Sequence, residues 1–323
     1  MAGGIVLVAL LAAAFIVVFG LPGGDKGSAP VAGTLSVAPP GTLRAAPASS
    51  AASPSATPSA TGSPTASASN GAGGASPSAT SAPPKAVTAP AGFRAVTFVN
   101  AVQQTIWVGA GEQTPQPALG TTGWVLPAGQ SLTIVVPDKW NGRFWGRTGC
   151  SFNASGTGVC QTGDCAGRFQ CTQYGAIPAT LAEFNLNSWD NLDFYDVSMV
   201  DGSNLPMYIN ITKGATKDPI SSTGCSAAGC TRPVNCPSAL QIHAGGSVVG
   251  CESACGVLGT DQYCCRGAWA PRSACDPTKW PVDYAAVFKS AEPFAYSYVD
   301  DDATSTFTCS GECDYRITFG LSP

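Results

Sequence analysis

The chain has 323 residues, with 16 basic and 20 acidic side chains, one histidine, 14 cysteines and a formal charge of −4. Asp25, Lys26, Arg44 and Lys85 are the only charges in the first 90 residues, which leaves 13 basic against 19 acidic residues in the rest. That acidic balance excludes a nucleic-acid partner, because phosphates are neutralised by a clustered basic face. All the cysteines lie beyond residue 149, and their even number points to disulfides formed in an oxidising compartment.

In chain order, the first element is the uncharged run "IVLVALLAAAFIVVFG" within residues 1–24, long enough to span a bilayer. It is either a signal peptide or a membrane anchor, and in both cases it directs the chain to the secretory route. Residues 25–90, rich in Ala, Ser, Pro, Gly and Thr, cannot bury enough apolar surface to offset the entropy of ordering. They are expected to be a disordered linker that holds a folded domain, residues 91–323, away from a membrane or wall.

That domain opens with "FRAVTFVNAVQQTIWVGA", two β-branched and aromatic runs expected to pair as strands. "GQSLTIVVP", "GRFWGRTG", "LAEFNLN", "DFYDVSMVDG", "PMYINIT", "FAYSYVD", "STFTC" and "YRITFG" repeat the pattern between Gly, Pro, Asn and Asp. Many short strands at close spacing predict an all-β sandwich or barrel. Helix is expected only around Ser253–Leu258 and at 282–291, beside a cysteine-rich insert at about 225–290.

Within that insert "CESACGVLGTDQYCC" holds five cysteines. Structural zinc needs paired CxxC or Cys with His at fixed spacing, and the single histidine, His243, fits no such pattern. Redox chemistry of the thioredoxin type needs CxxC, which is absent. The cysteines are therefore expected to be structural disulfides, with adjacent Cys264 and Cys265 bonded to different partners; no metal and no cofactor is called for. His243 is expected to be structural, since no Ser or Cys nucleophile motif accompanies it.

"DFYDVSMVDG" concentrates Asp193, Asp196 and Asp201. On a two-residue period Asp193 and Asp201 share a face and Asp196 takes the other, so Asp196 and Asp201 converge only through a bend. Asp201-Gly202 is itself a turn signal, which puts Asp201 at a strand end.

"GTGVCQTGDCAGRFQC", residues 156–171, resembles the signature segment of the thaumatin-like proteins. The resemblance extends over most of residues 93–320, through "FVNAVQQTIWVGA", "FWGRTGCSFN", "PATLAEFNLN", "DFYDVSMVDGSNLPM", "GTDQYCC" and "DDATSTFTC", in the family's order. It implies a flattened β-sandwich, a disulfide-rich lobe at about 225–290, a small lobe near 149–180 and an acidic interdomain cleft. Family members carry eight bridges. Here one bridge is lost as a pair, at Val102 and Gly320, while Glu292 stands at a third cysteine position and Cys313 is extra. The resemblance then implies the pairs Cys150–Cys160, Cys165–Cys171, Cys225–Cys309, Cys236–Cys251, Cys255–Cys264 and Cys265–Cys275, with Cys230–Cys313 as the rerouted bridge.

The resemblance also assigns the cleft residues Arg143, Glu183, Asp196, Asp201 and Asp301, the last with a slip of one residue allowed by Asp300 and Asp302. It implies binding of β-1,3-glucan or a related surface polysaccharide, in an antifungal or other defence role, by a monomer that is secreted or tethered to the membrane by its first residues. The alternatives are a weak endo-β-1,3-glucanase, with Glu183 as general acid and Asp201 as base or nucleophile, and a non-catalytic protein-binding defence or receptor ectodomain. Trp124, Trp140, Trp145, Trp189, Tyr174 and Tyr208 are candidate stacking platforms for sugar, most of them expected in the core or at the rim. Ser203 stands where the family often has an aromatic. Two sequons, Asn153-Ala-Ser and Asn210-Ile-Thr, are N-glycosylation acceptors if the source is eukaryotic.

Overall fold

A computed structural model describes residues 87–113, 117–216 and 231–322. The leader or anchor expected at 1–24, the linker up to residue 86, and Cys225 and Cys230 lie outside the described residues.

Among the described residues thirteen strands follow one another. The first five are β1 (Phe93–Asn100), β2 (Ile106–Glu112), β3 (Gly123–Leu126), β4 (Ser131–Pro137) and β5 (Asn141–Arg147). A short hairpin, β6 (Ser151–Phe152) and β7 (Gly158–Val159), precedes β8 (Leu181–Asn185), β9 (Leu192–Ser198) and β10 (Met207–Thr216). The insert then supplies the hairpin β11 (Gln241–Ala244) and β12 (Ser247–Cys251), and β13 (Phe307–Phe319) ends the domain. Nine of these form one sheet, in the order β3-β2-β5-β8-β9-β13-β1-β4, with β10 also on β13.

The sheet folds over on itself. Phe98 of β1 lies four places from Phe144 of β5 in the strand order, yet their rings meet edge to face at 5.1 Å between centroids. Only two facing halves of a sheet bring such strands together, which is the flattened sandwich. Between the halves lie Phe98, Trp140, Phe144, Phe184, Tyr195, Tyr315 and Phe319, all buried. Such aromatic side chains each remove some 150–250 Å² from water and dominate the energetics of the core.

The opening pair of strands departs from expectation, because β1 and β2 do not pair with each other. β1 pairs with β4 and, in parallel, with β13, whereas β2 pairs with β3 and β5. The linking residues cross between the halves. The Asn100 amide donates to the Gln104 and Leu126 carbonyls at 2.8 Å each, and Ala101 N donates to Phe319 O at 2.9 Å. "FAYSYVD" also forms no strand. It follows α2 (Ala285–Ala291) in bends, and only one residue, Tyr296, bridges to Ser198. "STFTC" and "YRITFG" are the two ends of the single strand β13.

Both expected helices are present, α2 and, before it, α1 (Ala254–Leu258), where Ser253 caps the Gly256 N–H at 3.1 Å. A third, α3 (Asp302–Ser305), is one turn that the sequence pattern does not announce.

Five expected disulfides are found: Cys150–Cys160, Cys165–Cys171, Cys236–Cys251, Cys255–Cys264 and Cys265–Cys275. Neighbouring Cys264 and Cys265 do diverge to separate partners. The pairings Cys225–Cys309 and Cys230–Cys313 are corrected, because Cys309 is bonded to Cys313 inside β13. The strand bulges at Gly311–Cys313, where Gly311 has φ 92° and Glu312 φ 53°, and this loop-out brings the two cysteines' Cα atoms to 6.3 Å.

Val102 and Gly320, which stand where the family has a bridge, leave the chain end held by other means. Gly320 N donates to Pro206 O at 2.7 Å, and β13 is hydrogen-bonded between β9 and β1. Glu292, in place of a third cysteine, is fully buried. It accepts from Thr231 Oγ1 and, at 3.3 Å, from Met207 N. Burial pushes its carboxyl up to about 8, against the pull of these two donors.

Candidate functional site

Three adjacent strands set a row of charges by register alone. Arg143 on β5 lies directly across from Glu183 on β8, and Glu183 directly across from Asp196 on β9. Cross-strand partners share a face, so the three side chains stand together. Asp193, three residues before Asp196, points to the other face and into the core. There it takes two hydrogen bonds from Arg94, at 2.8 and 3.0 Å, one from Tyr315 at 2.9 Å and one from Asn187 N at 2.7 Å. It is a structural carboxylate.

Asp201 reaches the row through the anticipated bend. β9 ends at Ser198, and a turn closed by Gly202 N on Met199 O at 2.9 Å redirects the chain. Arg143 then bridges two carboxylates, its Nη2 3.1 Å from Glu183 Oε1 and its Nη1 3.3 Å from Asp201 Oδ2. The other face of the guanidinium lies 4.1 Å from the Tyr174 ring centroid, a cation–π contact. Gly111, opposite Arg143 on β2, leaves the space for that ring, since a Cβ there would fall 2.7 Å from it.

Burial works against the Arg143 cation, but Glu183 and Asp201 more than offset it and raise its pKa. Burial pushes the Asp201 carboxyl up, opposed by Arg143 and reinforced by Glu183. Asp196 is pushed well above the carboxylate range by burial and by Glu183, and its Oδ1 has no hydrogen-bond partner. The row thus combines a fixed cation with two carboxyls, Asp196 and Asp201, biased toward their neutral, proton-donating form.

Asp301 is set apart from this row. It is tied to Lys289 at 2.8 Å, to the Ser297 N–H and hydroxyl at 3.1 and 3.0 Å, and to the Thr304 hydroxyl at 3.0 Å. Its neighbour Asp302 is the one whose charge acts on Asp196. Asp302 accepts from Tyr296 Oη at 2.7 Å, pairs with Arg272 and adds to the negative field at Asp196.

The far side of the Asp201 turn is stapled to the insert. Ser203 and Cys251 exchange backbone hydrogen bonds at 2.7 Å each way. Next to Cys251, Glu252 is buried with an unpartnered Oε1; burial raises its carboxyl to about 7, the Ser253 N–H opposes that, and Asp201 adds to it. Sequence reasoning passed over Glu252, whose signal was its place in the cysteine-rich stretch beside the turn.

Among the aromatic candidates Tyr174 contacts the row, through the Arg143 guanidinium. Trp140, Trp145 and Tyr208 are buried, Trp124 packs against the core, and Trp189 is exposed beside Phe194. Ser203 is buried and accepts from the Thr180 hydroxyl at 3.0 Å. His243 lies exposed on β11.

The fold and site together define a class of disulfide-stapled, mostly β domains that hold a half-buried arginine between carboxylates on the sheet. Comparison with known proteins makes it particular: the sequence profile of the Thaumatin family matches residues 100–321, and the chain belongs to that family. It is 46% identical over 232 residues to "Pathogenesis-related thaumatin-like protein 3.5" of Cryptomeria japonica, covering 71% of this chain and 90% of that protein. It is 47% identical over 227 residues to "Pathogenesis-related protein 5" of Arabidopsis thaliana, covering 69% and 88%. Against "Glucan endo-1,3-beta-glucosidase" of Prunus avium it is 47% identical over 229 residues, covering 69% and 89%.

Proposed function

We propose that this domain is an extracellular defence protein that binds β-1,3-glucan or a related surface polysaccharide over the row formed by Arg143, Glu183, Asp196 and Asp201, with Asp302 rather than Asp301 as the fifth charge. The observation that carries this reading is Arg143, held between Glu183 and Asp201 with Tyr174 against its face. Sugar hydroxyls need convergent donors and acceptors beside an aromatic ring, and this group supplies both. The six disulfides among the described residues fit an oxidising compartment.

A second reading, slow endo-hydrolysis, is favoured by the Prunus relative's name and by the carboxyls themselves. Sharing one guanidinium keeps Glu183 and Asp201 under the roughly 9.5 Å upper limit of glycosidase carboxyl pairs. In that reading burial suits Asp201 to donate the proton, the reverse of the role the family resemblance suggested.

The test is laminarin binding and reducing-end release by wild type and Glu183→Gln. Binding that weakens at least tenfold in the variant, without release in either protein, supports the binding domain. Release by wild type that vanishes in the variant supports the enzyme. No binding by wild type to laminarin or to a fungal wall preparation overturns both and leaves a protein-binding ectodomain.

A further inference from the structure

The two sequons of the domain meet opposite fates in the fold. Asn210 lies in β10 opposite Arg316 on β13, is 5% exposed, and accepts from the Arg316 guanidinium at 2.9 Å. A glycan on its Nδ2 would have to occupy space filled by the sheet, so a chain carrying one cannot complete β10 against β13.

Asn153 is exposed, at the tip of the β6–β7 hairpin, with Ala154 and Ser155 exposed beside it. Its Oδ1 accepts from the Ser155 hydroxyl at 2.7 Å, from Ser155 N at 3.0 Å and from Thr157 N at 2.9 Å. These bonds all fall on the oxygen, so they hold the amide in place with Nδ2 left outward, making no hydrogen bond among the described residues. The backbone bond Asn153 N to Thr157 O, 2.9 Å, closes the hairpin independently of that nitrogen.

We propose that Asn153 is an N-glycosylation site and that Asn210 is not, in a chain that passes through a glycosylating secretory route. The donor is a lipid-linked oligosaccharide pyrophosphate. Asn153 Nδ2 attacks the anomeric carbon, a C–N bond forms, the C–O bond to pyrophosphate breaks, Nδ2 gives up one proton, and the lipid pyrophosphate leaves. Both sequons are open in the unfolded chain, but only a glycan at Asn153 is compatible with the finished sheet. The glycan projects from a two-stranded hairpin braced by Cys150–Cys160, so it adds bulk without touching the core.

The full chain, expressed in a yeast secretory host and purified folded from medium or membranes, is treated with peptide N-glycosidase F in ¹⁸O water and mapped by mass spectrometry. Labelled aspartate is expected at position 153 and unmodified asparagine at 210. Ser155→Ala, which removes an exposed hydroxyl and its bond to Asn153 Oδ1 but keeps the two backbone donors, should lose the mobility shift of one glycan while keeping wild-type circular dichroism. Unlabelled Asn153, or label at 210 in folded protein, overturns the proposal. Neither result depends on any glucan affinity of the Arg143 site.

Discussion

The sheet and the insert hold their side chains in place by opposite means. On the sheet, Arg143, Glu183 and Asp196 align because three strands share a register, and no covalent link is needed. In residues 231–291 regular structure is scant and the local apolar cluster is small: Cys275, Trp280 and Ala285 are its buried members. Three disulfides supply what burial cannot. The site stands where the two meet, one edge set by register and the other by the stapled turn at Ser203 and Cys251. Register gives precision along the row, whereas cross-links only limit how far the opposite wall strays.

If the contrast is sound, the largest loss of stability should come from the sheet. Arg94→Met strands the Asp193 carboxylate in the core without its cation, and removing one partner of a buried pair costs about 3–5 kcal/mol. The urea midpoint of the whole domain should fall in one cooperative step. A loss under about 1 kcal/mol would mean that the sheet is not held at this node.

Next in size is Cys236→Ser with Cys251→Ser, which opens a loop of sequence separation 15 and should cost about 3 kcal/mol. Hydrogen exchange should show residues 231–291 losing protection while β1, β9 and β13 keep theirs. Uniform loss across both regions would break the comparison.

The third effect tests the seam between the two regions, at Glu292. Its folded pKa of about 8 lies above the unfolded value near 4.5, so the folded protein holds a proton that the unfolded chain releases. Its contribution to stability is full below about pH 4.5 and is lost as pH rises toward 8, at no more than about 1.4 kcal/mol per pH unit. Glu292→Gln should flatten stability over that window in thermal melts at a series of pH values. An unchanged profile would remove Glu292 as the source.

Local signals account for much of this molecule. The strand segments, the two longer helices and the divergence of Cys264 from Cys265 follow from patterns a few residues long. So does the arrival of Asp201, because Asp-Gly announces the turn that period-two counting lacks. What escaped depends on distant partners. "FRAVTFVNAVQQTIWVGA" looks like a hairpin, but β1 is claimed by β13, more than 200 residues away, and by β4. "FAYSYVD" has strand composition, yet Tyr296 finds one backbone bridge and the segment bends around Asp301. Cys313 takes Cys309 because a glycine with positive φ folds the strand back, which no count of cysteines reveals. Tyr174 joins the site only because Gly111 sits beneath it.

Strand β13 lies between β9 and β1, and β10 also pairs with it. The piece that the sheet requires at its centre is therefore synthesised after every strand it pairs with. Until residue 319 has left the ribosome, β1 has only β4 beside it, and the edges of β1 and β9 stand open. Closure of the sandwich therefore waits on pairing between strands more than 200 residues apart, which makes it slow. A chain that stopped before β13 would present those edges permanently, an invitation to pair with another copy rather than to fold.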